Sequence, residues 1–282
     1  MTRQKHREGY RGERAAEPGK EWNEKRKSRR RRNRRKARIR FLASMLGTLL
    51  GAVLLVLVAY TALNLFCGFG KVNTQKLREQ GYPESLIALM ERNPETKDFV
   101  LDYPKYKGLE EIDISKDVMK GEIPHFLQWD ERWGYETYGS DFLAVTGCGP
   151  TCLSMVTCGL TGDTRWNPYE VAKMAEDNGY YVDGSGSSWA LMSSGAEKLG
   201  LTVSSVIFDA EHIRATLEAG QPIICVMGPG DFTNAGHFLV LTGVDKNGDI
   251  ILQDPNSVKR TKQHWDVQKL MNQMKNLWSY SV

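Results

Sequence analysis

Gly147-Cys148-Gly149-Pro150-Thr151-Cys152-Leu153-Ser154-Met155 is the stretch on which the reading of this chain turns. Proline is favoured in the first turn of a helix, where its missing N–H would be unpaired anyway, so Pro150 predicts a helix starting within two residues of Cys148. A thiol there lies beside the helix's positive end. Unpaired backbone N–H groups and the helix dipole favour thiolate over thiol, which makes a cysteine nucleophilic near neutral pH. Gly147 and Gly149 let backbone, and therefore substrate, come close. The same residues also read as a buried cysteine at a tight turn, and the choice rests on what lies elsewhere in the chain.

Charge divides the 282 residues unevenly. Residues 1–40 hold 18 Lys and Arg against 5 Asp and Glu, while the other 242 hold 20 against 29. The basic run from Lys25 to Arg40 alone fits nucleic acid or an anionic surface. It is followed by 26 residues, Phe41 to Phe66, without a charge. About 20 apolar residues in helix cross a bilayer, and this run begins too far into the chain for a signal peptide. Phe41–Phe66 therefore reads as a retained anchor in the lipid bilayer. Basic flanks stay cytoplasmic, which places the N-terminus inside and the chain after about residue 70 outside. The arginines then serve topology and attraction to anionic lipid headgroups, with no nucleic-acid partner.

Five cysteines, Cys67, Cys148, Cys152, Cys158 and Cys225, are too few and too irregularly spaced for a disulfide framework or a zinc site. Cys67 falls at the membrane boundary, and Cys152, Cys158 and Cys225 read as small buried hydrophobes. His125, His212 and His264 lack metal-ligand spacing and read as surface or structural.

The organisation expected is a disordered cytoplasmic tail over 1–40, a transmembrane helix over 41–66, an extracytoplasmic stalk over 67–121 and a compact domain over 122–282. The stalk has short helical pieces and an extended-looking Phe99–Pro104, and its apolar residues need cover from the domain. Within the domain, helices are expected from Pro150, over Pro168–Asn178, Trp189–Leu199 and Ala210–Ala219. Three short apolar runs of strand length follow, at 222–227, 237–242 and 250–253. Asp245-Lys246-Asn247-Gly248-Asp249 joins the last two as a hairpin turn. Helices followed by an antiparallel sheet make an α+β fold.

Cys148 heads the first helix, His237 starts one hairpin strand and Asp254 ends the other. A thiol nucleophile needs a base for its proton and an acceptor to orient the base, and Cys, His and Asp in this order supply both. The turn is centred too late for His237 and Asp254 to face each other directly, so a bulge or a longer turn is needed. Trp189, after the Gly184–Ser188 loop, either lines a substrate groove or belongs to the core. Gly236 marks a chain bend beside His237.

Gln128-Trp129-Asp130-x-x-Trp133, Gly147-Cys148-Gly149-Pro150-Thr151 with Met155, Gly236-His237-Phe238 with Gly243, and Asp254-Pro255, in that order, resemble the papain-like cysteine peptidases of the bacteriocin-processing kind, cysteine-peptidase family 39, in its stand-alone peptidase-like branch. The resemblance spans roughly residues 122–282. Tyr82-Pro83-x-Ser85-Leu86 and Asn93-Pro94-Glu95-Thr96 are similar to the segment before this domain in anchored Gram-positive relatives. The resemblance implies a papain-like fold with Cys148 as nucleophile, His237 as general base and then acid, and Asp254 orienting the imidazole. It also implies a glutamine in the oxyanion hole. Transporter-linked members carry that glutamine a few residues before the cysteine, where this chain has Phe142 and Leu143. Gln128 is the replacement, either reaching the hole or making an ordinary polar contact. The Cys148 N–H is the other donor.

The function expected is a single-pass peptidase of a Gram-positive cell membrane. Its extracytoplasmic domain would hydrolyse peptide or amide bonds of a peptide or protein substrate through an acyl-cysteine, with no cofactor and no metal. Two alternatives stay open. One is an inactive papain-like module that binds peptides or cell-wall fragments, and the other is an acyl or peptidyl transferase using the same triad.

Overall fold

The computed structural model describes residues 18–68 and 72–282, with side chains described for 26–59 and from 72 onward. The chain divides after Val72 into two units. Residues 1–17 of the expected tail, residues 69–71 of the expected stalk and the side chain of Cys67 lie outside this description.

The first unit is one helix, α1 (Pro18–Gly68). The disorder expected through residue 40 does not hold over 18–40. Arg, Lys and Glu are good helix formers, and after Gly19 no proline or glycine interrupts the basic segment. Its apolar part is uncovered: Leu54 is 63 % and Leu55 72 % exposed. Arg26–Ala59 includes a stretch long and apolar enough to cross a membrane.

The second unit runs from Asn73 to Val282. After a short helical piece, Thr74–Glu79, come α2 (Glu84–Arg92) and α3 (Lys97–Asp102). Leu86, Ile87, Leu89 and Met90 of α2 are buried, as are Phe99 and Val100 of α3. Phe99 stacks on Tyr135 with centroids 4.2 Å apart, and the Tyr135 hydroxyl donates to Phe99 O at 2.7 Å. Residues read as a stalk are therefore part of the same compact unit as the domain they precede. Phe99–Pro104 is helical rather than extended, because Phe99 and Val100 are buried side by side at the helical turn that follows Pro94.

Four further stretches follow: α4 (Cys148–Thr161), α5 (Pro168–Asp177), β1 (Thr202–Ser205) and α6 (Ala210–Glu218). The single helix expected over Trp189–Leu199 is instead a 3-10 turn, Trp189–Met192, and a short helix, Ser194–Lys198, separated by the non-helical backbone of Ser193. The sheet is completed by β2 (Ile223–Met227), β3 (His237–Val244), β4 (Ile250–Gln253) and β5 (Met274–Ser281). Its strand order is β1-β5-β2-β3-β4, antiparallel throughout.

Every residue of β2 is buried, because both faces of the sheet are covered. Ile224 and Val226 face a core with Phe238, Val240 and Tyr280, together with Leu153 and Val156 of α4. Ile223, Cys225, Leu239 and Leu241 face the other core, with Ile213 and Leu217 of α6 and with Trp265 and Leu270. Complete burial of each Leu or Ile contributes about 1.5–3 kcal/mol. This packing lays α4 across β3.

The β3/β4 hairpin contains the irregularity its turn demands. Val244 pairs with Ile250 and Gly243 with Ile251, but beyond a bulge Leu241 pairs with Leu252 and Val240 with Gln253. Continued without the bulge, the first register would set Asp254 opposite Val240, on the face opposite to His237. The one-residue shift sets it opposite Leu239, diagonal to His237 and on the same face.

Candidate active site

Cys148 opens α4, with Gly147 as its N-cap and Gly162 closing the helix in the left-handed conformation (φ +77°). The helix is buried from Gly149 to Gly159, whereas Cys148 is only half-buried. The room expected beside the two flanking glycines is filled from within the protein, not by open cleft. A Cβ at Gly147 would lie 2.5 Å from Leu143 O, and one at Gly149 would lie 2.4 Å from Ser187 Oγ. These glycines let the preceding turn (Leu143–Thr146) and the 186–187 strand close against the nucleophile's helix. Around Gly236, by contrast, the space is open, and the residue is exposed.

Three residues distant in the chain meet here. Nε2 of His237 lies 2.8 Å from Asp254 Oδ1. The imidazole also interacts with the Cys148 sulfur, and with Nε2 engaged by the carboxylate, the nitrogen left for sulfur is Nδ1. His237 is 6 % exposed and Asp254 is fully buried. Burial alone raises the Cys148 pKa. The His237 hydrogen bond and charge, with the backbone N–H groups of Phe238 and Gly149, outweigh it and bring the thiol below its ordinary 9.0. Burial likewise opposes the imidazolium, but the Asp254 carboxylate and the Cys148 sulfur raise His237 to about 10. Asp254 is pushed up by burial and pulled below its ordinary value by His237 and then by Arg260. A thiolate and an imidazolium in contact are the favoured charge state.

The other cysteines with described side chains have the opposite character. Cys152, Cys158 and Cys225 are fully buried, and burial raises each thiol above its ordinary value. Among the described residues, no cluster of His, Cys, Asp and Glu has the makings of a metal site.

Gln128, 3 % exposed, lies between the two halves of the site. Its backbone N–H donates to Pro255 O at 2.7 Å, and its side-chain Nε2 donates to Ala144 O at 2.7 Å, in the turn just before Cys148. Its Oε1 is buried without a partner. One carboxamide hydrogen is thus committed to Ala144, and the second is the one available to an oxyanion. Trp189 is not a core residue: it is 48 % exposed and meets Trp278 edge-on at 6.0 Å. It follows the Ser187 that presses on Gly149.

Several groups around the carboxylate escaped the sequence reading. Arg260 Nε donates to Asp254 Oδ2, and the Asn256 N–H donates to Asp254 Oδ1 at 2.8 Å. His125 Nε2 lies 2.7 Å from Asp254 O. The Thr261 hydroxyl accepts the Asp254 N–H at 2.9 Å, and the Trp129 indole donates to Asn256 O at 3.3 Å. A basic residue six positions after the aspartate is the one signal in the sequence, and it stands beside Lys259 and Lys262 in a run that resembles any solvated basic turn. His212 and His264 pair with surface aspartates, Asp209 and Asp245.

No curated protein matches the chain. Among solved structures, a candidate C39-like peptidase from Bacillus anthracis is 18 % identical, over 58 % of this chain and 97 % of that one, with a TM-score of 0.35. The model of the Peptidase_C39 like family matches residues 120–282, more than half of the chain and the part that holds the thiol, imidazole and carboxylate. The chain therefore belongs to the Peptidase_C39 like family.

Proposed function

We propose that the protein is a membrane-anchored cysteine peptidase of the bacteriocin-processing type, papain-like in fold, whose domain works outside the cytoplasm. The observation carrying this reading is the meeting of the Cys148 sulfur, the His237 ring and Asp254, with the imidazole interacting with the sulfur and its Nε2 lying 2.8 Å from Asp254 Oδ1. In the first step the Cys148 thiolate adds to the scissile carbonyl carbon, and the oxygen takes the electron pair as an oxyanion. The Cys148 N–H and the second N–H of the Gln128 carboxamide receive that charge. The His237 imidazolium then gives its Nδ1 proton to the leaving nitrogen, the C–N bond breaks, and an acyl-cysteine remains. In the second half water adds to the thioester as His237 takes its proton, and the thiolate leaves with the acid product. Asp254 keeps the ring oriented and its charge balanced throughout. Trp189 and the open side of Gly236 supply exposed walls for the peptide.

The exposed apolar length of α1 supports the anchor, and the basic segment before it supports a cytoplasmic N-terminus. The test uses the full chain in anionic lipid vesicles, a thiol-directed peptidyl probe and a peptide library read by mass spectrometry. Wild type should be modified at Cys148 and release peptide fragments, and Cys148→Ala should do neither, a loss of at least about 10⁴-fold in turnover. Folded wild-type protein that takes no probe and cleaves nothing would overturn the reading. Cleavage that persists in Cys148→Ala would do the same.

A further inference from the structure

The loop that carries the triad carboxylate has little regular structure of its own. From Asp254 it runs to a four-residue helical turn, Val258–Thr261, and its shape is set by groups that reach it from elsewhere. Two of these groups precede residue 120, where the family match begins. Asn93 Nδ2 donates to Asn256 O at 2.6 Å and to Asn256 Oδ1 at 3.1 Å. Glu95 accepts from the Ser257 hydroxyl through Oε1 and from the Lys259 N–H through Oε2, the latter at 3.1 Å.

Both contacts are built. Asn93 is 8 % exposed, and its own Oδ1 accepts the Glu95 N–H at 3.1 Å. Asn93 O accepts the Thr96 hydroxyl at 2.8 Å, so the turn Asn93-Pro94-Glu95-Thr96 is held in one shape. On the other side, the Ser257 hydroxyl that donates to Glu95 also accepts the Arg260 N–H at 3.0 Å. Arg260 in turn holds Asp254 Oδ2. A continuous run of hydrogen bonds thus links Glu95 to Ser257, to the turn bearing Arg260, and to the carboxylate that orients His237.

We infer that Asn93 and Glu95 are positioning residues for Asp254, so that a segment outside the matched family region sets the efficiency of the triad. This rests on the peptidase reading above. Groups that act through alignment are sensitive: a displacement of about 1 Å can cost on the order of a hundredfold in rate.

The experiment compares full-length wild type with Asn93→Ala, Glu95→Ala, Glu95→Gln and the double variant N93A/E95A. It reads kcat, KM, the pH profile, thermal melting and the low-field NMR resonance of the proton between His237 and Asp254. Each alanine variant should lose about tenfold in kcat with KM within about twofold, and the double variant about a hundredfold. A less well-aligned carboxylate stabilises the imidazolium less, so the alkaline limb of kcat/KM should move down from about 10 toward 6.5. The low-field resonance should broaden or shift upfield, and Glu95→Gln should recover part of both losses. The inference fails if kcat, limb and resonance match wild type. It fails equally if turnover per probe-labelled Cys148 is unchanged and only the folded fraction drops. Wild type without Cys148-dependent turnover would sink the peptidase reading instead. The brace would still be decided by the resonance, which needs no substrate.

Discussion

Around Cys148, beyond the His237 ring that acts most on the sulfur, the stabilising groups are two backbone N–H groups, that of Phe238 beside the ring and that of Gly149 in its own helix. Around Asp254, beyond His237, the carboxylate takes the Asn256 N–H and Arg260 from its own loop, and that loop is held in place by residues 93, 95, 125, 128 and 129. Both are buried or half-buried ionisable groups that must stay charged, and they solve the problem by different routes. A thiolate at a helix N-terminus is stabilised by donors that the helix necessarily leaves unpaired. A carboxylate past the end of a strand has no such donors; besides His237 it takes them from the loop that follows, and distant chain segments must hold that loop in place. The nucleophile's half should therefore tolerate changes elsewhere in the fold, and the base's half should not.

Asp254→Asn tests the second half most severely. The amide can still hold the His237 ring but cannot balance its charge, and turnover should fall on the order of 10³-fold. The pH profile carries the sign. In wild type, activity should rise as Cys148 deprotonates, below the ordinary thiol value of 9.0, and fall as His237 deprotonates near 10. Both limbs belong to the coupled pair rather than to either group alone. Without the carboxylate the imidazolium is destabilised, so the alkaline limb should retreat toward 6.5. A D254N variant with wild-type turnover and an unmoved alkaline limb would mean the carboxylate is a structural anchor only.

The same contrast explains what could be read in advance. The helix from Cys148, the α5 and α6 helices, the β3/β4 hairpin and even its bulge follow from local periodicity, Pro150, Gly162 and the Asp245–Asp249 turn. What escaped was β5, second in the strand order and paired on both sides. Its sequence, Met-Lys-Asn-Leu-Trp-Ser-Tyr-Ser, places polar residues where a buried strand would show apolar ones, and Ser279 is buried all the same. Of the site, the identities of Cys148, His237 and Asp254 were legible because the chemistry restricts residue type. Asn93 and Glu95 were not, since nothing local marks a side chain that a loop 163 or 164 residues away will use, and Arg260 was not because it stands in a turn with two lysines. Gly147 and Gly149 were noticed for the wrong neighbour: the close approach they permit is by Leu143 and Ser187, where substrate had been expected.

Gln128 sharpens the comparison because it touches both halves, through Pro255 O on one side and Ala144 O on the other. Gln128→Ala should lower kcat about 10²-fold if its second N–H serves the oxyanion, with KM nearly unchanged because that charge exists only in the transition state. The backbone contact to Pro255 survives the substitution, so the Asp254 loop should keep its place and the alkaline limb should stay near that of wild type. A shifted limb with a small loss of rate would instead make Gln128 a strut between the halves.

The smallest effect is expected at Cys152, and it examines the claim that the nucleophile's half is locally made. Cys152 sits one turn after Cys148 on the same side of α4, fully buried, with its thiol raised by burial and by the charge at Cys148. If the helix terminus itself tunes Cys148, the packing one turn below should matter to stability and hardly at all to chemistry. Cys152→Ala leaves a sulfur-sized gap, partly offset by alanine's better helix propensity, for a net loss of about 1 kcal/mol. Turnover and the acid limb should stay within about twofold of wild type. Among Cys148, Cys152, Cys158 and Cys225, a thiol reagent near pH 7 should modify Cys148 alone in both proteins and reach Cys152 only after unfolding. A tenfold loss of turnover in Cys152→Ala at an unchanged melting temperature would show that the sulfur's setting depends on the core beneath it, and the contrast between the two halves would disappear.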